Sequence, residues 1–491
     1  MLGIGVENAS PDNRGTPLQA RRTTVTTLSP HTMPVYSIRT QILIGAVALG
    51  MGVLGVVSAC RPLDRLGTSS PRADSATVLW AGAVTDSSAR VVARPPTGGR
   101  EVRLAVDTTG TWTDPRIIEG ESPATNPDVR HFHLDGLVPR TTYHYALHRG
   151  GTVDTTQQGQ FRTFGAGAFS FRVALSACAQ TGSQHPVFGA LRRADPDLFL
   201  HLGDLHYEDI DAAAPAAFRR AYQQVHASPP QARLFRSTAL AYVWDDHDYG
   251  PNNSSRRAPG QDVAQQVYRE YVPHYDLAPG TRREPIYQAF TMGRVRVVLT
   301  DLRSARTRNA APDSVQTMMG AAQKAWFKRQ LAQAKDEYPV IAWGSSVPWI
   351  GAAGESDDHW GGFAAERREL ARYIDSLGVA DQLVMLSGDA HMVALDDGTH
   401  NEYGRPGGGG FPVVHAAALD RVGSEKGGPY THGPYPNPFR LFGQTDGQFV
   451  LMDVQDKGGE EVCVTWTGKR YETETDRLVT LFEWGRCFPA P

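Results

Sequence analysis

Four short apolar runs in this chain each end abruptly in side chains that can hold a metal, and that repeat limits the folds open to it. Leu198-Phe-Leu-His-Leu-Gly-Asp-Leu-His-Tyr-Glu208 is the fullest example. Leu198, Phe199, Leu200 and Leu202 predict a strand buried on both faces. Gly203 lets the chain turn, because it has no Cβ to clash. Asp204 then stands at the strand's C-terminal end, with Tyr207 shortly after it. Phe169–Leu175 runs into Ser176-Ala-Cys178, Ala239–Trp244 into Asp245-Asp-His-Asp248, and Gln382–Leu386 into Ser387-Gly-Asp389-Ala-His391. One such cluster arises easily by chance. Four on one sheet edge converge in space, at the edge where open α/β sheets take their ligands.

Helical stretches separate these runs. His185–Arg193, Phe218–Val225 and Gln261–Tyr271 read as helices, and Phe327, Leu331 and Ala334 recur at helical spacing. Leu370, Ile374 and Leu377 line one face of another. Strand–helix alternation over residues 168–491 predicts an α/β layered domain, with β-rich segments from about Gln448 that finish or cap its sheet. Residues 75–165 have a different texture. Thr77–Ala81, Ala89–Ala93 and Val102–Val106 are short alternating strands between Gly, Asp and Ser, the pattern of an all-β sandwich. Leu137-Val-Pro-Arg-Thr-Thr-Tyr143-His-Tyr145 resembles the tyrosine corner of fibronectin type III domains. A chain of 491 residues is long enough for two or three domains. Its net charge of −3 gives no reason to expect a nucleic acid or an acidic surface as partner.

The first 60 residues read as a leader, with Met33 as a candidate start. Arg39 precedes the apolar run Ile42–Ala59, which ends Val57-Ser58-Ala59-Cys60. That is the layout of a secretory signal. A Cys after small residues resembles a bacterial lipobox, so Cys60 is expected to carry a lipid anchor to the membrane. Polar residues 61–74 read as the tether. Export lets cysteines pair. Cys463 and Cys487 are close enough in sequence to do so, which leaves Cys178 as the odd thiol.

The strand-end residues define a chemistry. Asp204, Asp246 and Asp389 offer hard oxygens, Cys178 and Tyr207 anionic ligands, and His391 one imidazole. A set so poor in His argues against a zinc-only centre and suits ferric iron (Fe3+) beside calcium (Ca2+). Asn252 adds a carbonyl donor suited to calcium. Such a cluster would make a bound water nucleophilic and hold phosphoryl oxygens. His247, between two carboxylates, is a candidate proton donor, and Arg219 a candidate phosphate clamp. Arg303 and Arg306 fit internal pairing better than substrate. Trp360 fits the core or a pocket lid. His201 and His206 fit supporting or surface roles. A serine hydrolase is not indicated, since no Gly-x-Ser-x-Gly elbow is present, and no Walker loop occurs.

Taken together, Ser176-Ala-Cys178, His201-Leu-Gly-Asp-Leu-His-Tyr-Glu208, Trp244-Asp-Asp-His-Asp-Tyr-Gly-Pro-Asn252, Asp301-Leu-Arg-Ser-Ala-Arg306 and Ser387-Gly-Asp-Ala-His391 resemble the PhoD-type alkaline phosphatases, a branch of the calcineurin-like metallophosphoesterases. The resemblance runs from about Val78 to His391. It implies a four-layer αββα metallophosphoesterase sandwich preceded by an all-β fibronectin III/Ig-like domain. It implies Fe3+ and Ca2+ held by Cys178, Asp204, Tyr207, Asp246, Asn252, Asp389 and His391, with Asp245 as the alternative to Asp246. It puts Arg219 near the phosphate. Small-molecule phosphate esters are the expected substrates, as monoesters, diesters or both. Nucleic acid or phospholipid on the same site is an alternative, and so is a surface-binding protein that works through its fibronectin-like domain. No obligate protein partner is implied. Two features depart from the family: Phe218 stands where Tyr is common, and Arg21-Arg22 lies far ahead of the apolar run.

Overall fold

The computed structural model describes residues 77–96, 102–278, 284–307, 315–354, 358–440 and 444–491. The leader, Cys60 and the 61–74 tether lie outside the described residues. Among the described residues no helix is long and apolar enough to cross a membrane.

Two sheets carry the molecule. The seven-stranded sheet runs Gln288–Met292, Val295–Leu299, Val340–Ser345, Leu383–Ser387, Val413–Ala416, Met392–Asp396 and His432–Pro436. Its central strands are parallel. They are apolar on both faces, and the period of two sorts their side chains. Val297, Ala342, Val384 and Leu386 point into one core, shared with Ala174, Leu175 and Leu200 of the other sheet. Val298, Ile341, Trp343, Leu383 and Met385 point the other way, onto Phe327 and Leu331 of helix Gly320–Ala334 and Leu370 and Ile374 of helix Ala364–Leu377. That second helix stops where Gly378 takes φ 73° and its amide reaches back to the Ile374 carbonyl. Trp360 joins this outer core, with its ring 5.8 Å from that of Trp343.

The nine-stranded sheet has the order Arg477–Pro489, Glu461–Glu472, Gly447–Gln455, Phe171–Ser176, Leu198–His201, Leu240–Tyr242, Val78–Gly82, Ser88–Arg94, Arg130–Asp135. Its middle strands, from residues 171–242, are parallel. The C-terminal strands extend it on one side by antiparallel pairing. On the other side it is continued by strands from the N-terminal β-rich region, through Gly82 opposite Leu240. A Cβ on Gly82 would come within 2.4 Å of the Pro273 carbonyl, so only glycine permits that approach. The rest of the N-terminal region forms a five-stranded sheet around Thr142–Arg149. There the Tyr143 hydroxyl accepts the Val138 amide at 2.9 Å, the bond a tyrosine corner requires. Trp80 donates to the Tyr271 carbonyl at 2.7 Å and Tyr145 to that of Arg236 at 2.9 Å, so the β-rich region is fastened to the helices beside it.

Arg219 belongs to this fastening. It lies in helix Pro215–Ala227, and its Nε and Nη2 both donate to the Glu270 carboxylate at 2.8 Å. Nη2 also reaches the Thr125 carbonyl at 2.7 Å, while Asn126 donates to Glu270 at 3.1 Å. The Glu270 side chain is 2% exposed and that of Arg219 25%. Arg219→Ala strands a buried carboxylate, and we expect a loss of about 2–3 kcal/mol, below that of a fully buried pair because the arginine is partly solvated. Urea unfolding checks this, and an unchanged midpoint would refute it.

Candidate metal centre

Three neighbouring parallel strands deliver their terminal residues to one edge: Phe171–Ser176 leads to Cys178, Leu198–His201 to Asp204 and Tyr207, and Leu240–Tyr242 to Asp245, Asp246 and His247. Leu383–Ser387 of the other sheet delivers Asp389 and His391. The two edges meet at glycines. A Cβ on Gly388 would sit 2.5 Å from the Leu202 carbonyl, and one on Gly203, at φ 111°, 2.5 Å from the Asp245 Cβ. Gly203→Ala therefore combines backbone strain with a clash, and we expect it to destabilise the protein by about 3 kcal/mol. A denaturation midpoint within error of the parent would contradict this.

Ligand atoms converge around Asp204. Cys178, Asp204 and His391 place one candidate atom each within 4.8 Å of one another, and so do Asp204, Asp246 and His247, and Asp204, Asp245 and Asp389. Asp204 is common to all three groups. Cys178, Asp204, Asp389 and His391 hold φ values of 61°, 56°, 61° and 49°. Non-glycine residues avoid this left-handed region at a penalty of roughly 1 kcal/mol or more each, and such strain gathers at functional sites.

One side of Asp204 is short of protons. The Tyr207 hydroxyl lies 2.8 Å from Asp204 Oδ2 and 2.9 Å from His391 Nε2. His391 Nδ1 is 2.8 Å from the Val422 carbonyl, which can only accept, so Nδ1 carries the ring proton. Burial, with Lys426 nearby, lowers the His391 pKa to about 4, so the ring is neutral and Nε2 bare. One phenolic proton thus serves two acceptors, with the Cys178 sulfur close by. On the other side, Asp204 Oδ1 and Asp245 Oδ2 are buried with no hydrogen-bond donor, and Asp246 Oδ1 has only the Arg303 guanidinium, 3.6 Å away. Burial and the neighbouring carboxylates push the Asp204 carboxyl well above its usual range, and burial and Asp204 do the same to the Tyr207 phenol. Burial and the charges of Asp204 and Asp389 raise the Cys178 thiol. Sulfur, phenol, imidazole and unpartnered carboxylate oxygens facing one another fit a multivalent cation.

Other members of the polar clusters have partners. Asp245 Oδ1 accepts Arg303 Nε at 2.5 Å and the Ser346 hydroxyl at 2.7 Å. Arg303 is fully buried and also reaches Asp358 at 3.3 Å, so internal pairing is its role. Arg306 lies beside the same Asp358, at 3.8 Å. Asp246 Oδ2 accepts the Asn253 amide at 2.5 Å, while Asn252 itself is exposed in that turn. Asp248 binds the amides of Asp245 and His206 at 3.1 Å and braces the loops. His247 has its ring 4.1 Å from that of Tyr207, and its Nδ1 is 2.6 Å from Asp209. His201 and His206 are not at the surface. Both are buried against aromatic rings, at Tyr242 and Tyr222.

Three residues here had no motif to announce them. Lys426 Nζ lies 2.8 and 2.7 Å from the two Asp389 oxygens and 2.6 Å from Asp358. Arg421 lays its guanidinium 3.9 Å from the Tyr207 ring centroid and donates to Gln180. All three (Lys426, Asp358 and Arg421) stand in loops far from the strand-end clusters in sequence. Only their charge, amid Gly- and Ser-rich stretches, marked them.

Known proteins resemble this chain in family profile and in fold. A family profile described as PhoD-like phosphatase matches residues 173–416. Among solved structures, PhoD aligns over 84% of this chain and 93% of its own, with 16% identity and a TM-score of 0.65. The purple acid phosphatase PPD1 from yellow lupin (Lupinus luteus) seeds aligns over 84% of this chain and 74% of its own, with 14% identity and a TM-score of 0.55. At such identities the likeness speaks for the fold. No curated protein matched. The matched region, residues 173–416, holds all four strand-end clusters and is that of a PhoD-like phosphatase, a metal-dependent phosphoesterase.

Proposed function

We propose that this protein is an exported hydrolase of phosphomonoesters and phosphodiesters that uses Fe3+ and Ca2+. The observation that carries the proposal is the shortage of protons and donors around Asp204. In this reading Cys178, Tyr207, His391 and Asp204 hold iron, and Asp204, Asp246, Asn252 and Asp389 hold calcium. Asp246 is preferred to Asp245, because Arg303 holds Asp245 at 2.5 Å and stands 3.6 Å from Asp246. Metals held there supply Lewis acidity that makes water nucleophilic near neutral pH and offsets phosphoryl charge. The protein's own contribution is positioning. His247 is oriented by Asp209 to donate a proton from its other nitrogen to the leaving oxygen. Arg421, stacked on Tyr207, adds a fixed positive charge beside the cluster. Arg219 serves Glu270 and bears on catalysis only through the fold.

Export and a lipid anchor at Cys60 remain part of the proposal. The Cys463–Cys487 disulfide supports an oxidising compartment. Elemental analysis joined to a phosphoester panel tests the whole. We expect iron and calcium in the purified protein, phosphate release from p-nitrophenyl phosphate, and p-nitrophenol from its bis ester. Chelation should abolish both reactions and metal return should restore them. Metal-free protein with full activity would overturn the proposal.

A further inference from the structure

The cations close to the cluster are of two kinds. Arg303 stands beside Asp245, Arg306 beside Asp358, and Lys426 between Asp389 and Asp358, so their charge is already met. Arg421 differs. It is half-buried, its Nη1 donates to the neutral Gln180 side chain, and its Nε is buried with no acceptor. Among the described residues it forms no ion pair. Asp420, its neighbour in the chain, is buried and gives its Oδ1 to the Gln180 amide at 2.7 Å. A guanidinium drawn out of water without a counter-ion is a place for an anion.

The position of Arg421 is fixed. Its loop is fastened to the turn Asp389–His391, residue against residue in reverse order. The Val422 carbonyl accepts His391 Nδ1–H at 2.8 Å, the Ser424 hydroxyl donates to the Ala390 carbonyl at 2.9 Å, and Lys426 holds both Asp389 oxygens. The Arg421 carbonyl itself accepts the Asn437 side chain at 2.8 Å. The guanidinium carbon lies 3.9 Å from the centroid of the Tyr207 ring, whose hydroxyl joins Asp204 to His391. Resting on a ring face leaves the donors at the guanidinium edge available. Arg421 and His391 also share the wall of the open cleft beside the cluster, so the cation borders the way in.

The two classes of phosphate ester offer such a cation different things. Above its second pKa, about 6, a monoester carries two negative charges over three terminal oxygens, whereas a diester carries one over two. A cation outside the ligand cluster therefore meets charge that only the monoester has. We infer that Arg421 is a specificity residue, which binds a terminal oxygen of phosphomonoesters and favours them over phosphodiesters. The inference rests on the phosphoesterase reading above and narrows its substrate class. The bond changes are common to both esters. A water oxygen bonds to phosphorus, and the phosphorus–oxygen bond to the leaving alcohol breaks. The electron pair goes to the alcohol oxygen, which takes a proton. Inorganic phosphate is the other product from the monoester, and a monoester is the other product from the diester. Arg421 acts on the charge of the bound ester and not on the bond that breaks.

The test uses the full, metal-loaded chain at about pH 8, where the monoester is a dianion. The substrates are p-nitrophenyl phosphate and bis(p-nitrophenyl) phosphate, which share a leaving group. We expect Arg421→Gln to lower kcat/KM for the monoester about tenfold or more beyond its effect on the diester, the scale of one lost charge-assisted contact. Arg421→Lys keeps the charge and should move the ratio between the esters back toward that of the parent. Inorganic phosphate should inhibit the parent about tenfold or more tightly than dimethyl phosphate does, and Arg421→Gln should close that gap. Equal losses on both esters at unchanged metal content would make Arg421 a brace for Tyr207 and overturn the specificity role, while the phosphoesterase reading stands. A larger loss on the diester would overturn it as well. Should neither variant fold, equal inhibition of the parent by the two anions is enough to overturn it. A parent protein inert on both esters sinks the phosphoesterase reading and this inference together.

Discussion

Asp204→Asn is expected to lose both metals and nearly all activity. Asp204 belongs to all three ligand groups of the cluster, so no other single change touches both of its sides. The fall in kcat/KM should exceed the roughly 100-fold that removal of an outer partner of a ligand produces. The same variant should melt higher than the parent when both are stripped by chelator. It keeps the side chain's volume but removes one of several buried like charges, since Asp245, Asp246 and Asp389 crowd the same space. Elemental analysis and calorimetry with and without metal check both halves. Retained metal, or a lower melting point in chelator, would show that Asp204 is held by protein donors rather than by a cation.

Three buried histidines should weaken this protein progressively below pH 6.5. His201, His226 and His415 are buried, and neither ring nitrogen of any of them has a hydrogen-bond partner. Burial lowers each pKa to about 3 in the fold, from the ordinary 6.5. Between those values the unfolded chain binds protons that the folded chain refuses. The stability is therefore complete above pH 6.5 and drains as pH falls toward 3. Each ring contributes a slope of about 1.4 kcal/mol per pH unit. His226 is the clearest to test, since it packs among Trp80 and Phe235 and away from the cluster. The Arg236 charge also lowers its pKa. His226→Leu should be neutral or stabilising at pH 7.5, because it removes an unpartnered polar ring, and increasingly stabilising toward pH 5. Urea midpoints across that range measure it, and a gap between variant and parent that does not widen with acid would refute the argument.

The strand-end clusters were legible in the sequence because strand and turn are local. An apolar run, a glycine and a carboxylate are read within ten residues, and Leu198–Asp204 forms as that pattern predicts. The same holds for helix Gln261–Tyr271, whose bounds match its periodicity. What the sequence hid is long-range. Nothing near Val78–Gly82 says that it will lie beside Leu240–Tyr242, because an alternating strand specifies a face and not a neighbour. Lys426 and Arg421 reach the cluster from a loop of irregular backbone, where no period gives direction. Arg219 misled for a related reason. A lone arginine on a helix is equally suited to a phosphate and to a carboxylate, and Glu270, 51 residues on, decides between them.

The same sheet order dictates when the molecule can assemble. Strand Phe171–Ser176, which leads to Cys178, pairs with Leu198–His201 on one side and with Gly447–Gln455 on the other. The second partner leaves the ribosome long after the strand it pairs with. Until it arrives, a central strand of the catalytic sheet is an open edge, able to pair with whatever chain it meets. Val78–Gly82 likewise waits for Leu240–Tyr242. Synthesis is therefore a period of exposure that ends only when residues 447–455 emerge, and a chain stopped before residue 447 would carry most of the cluster's residues on a sheet still open to aggregation.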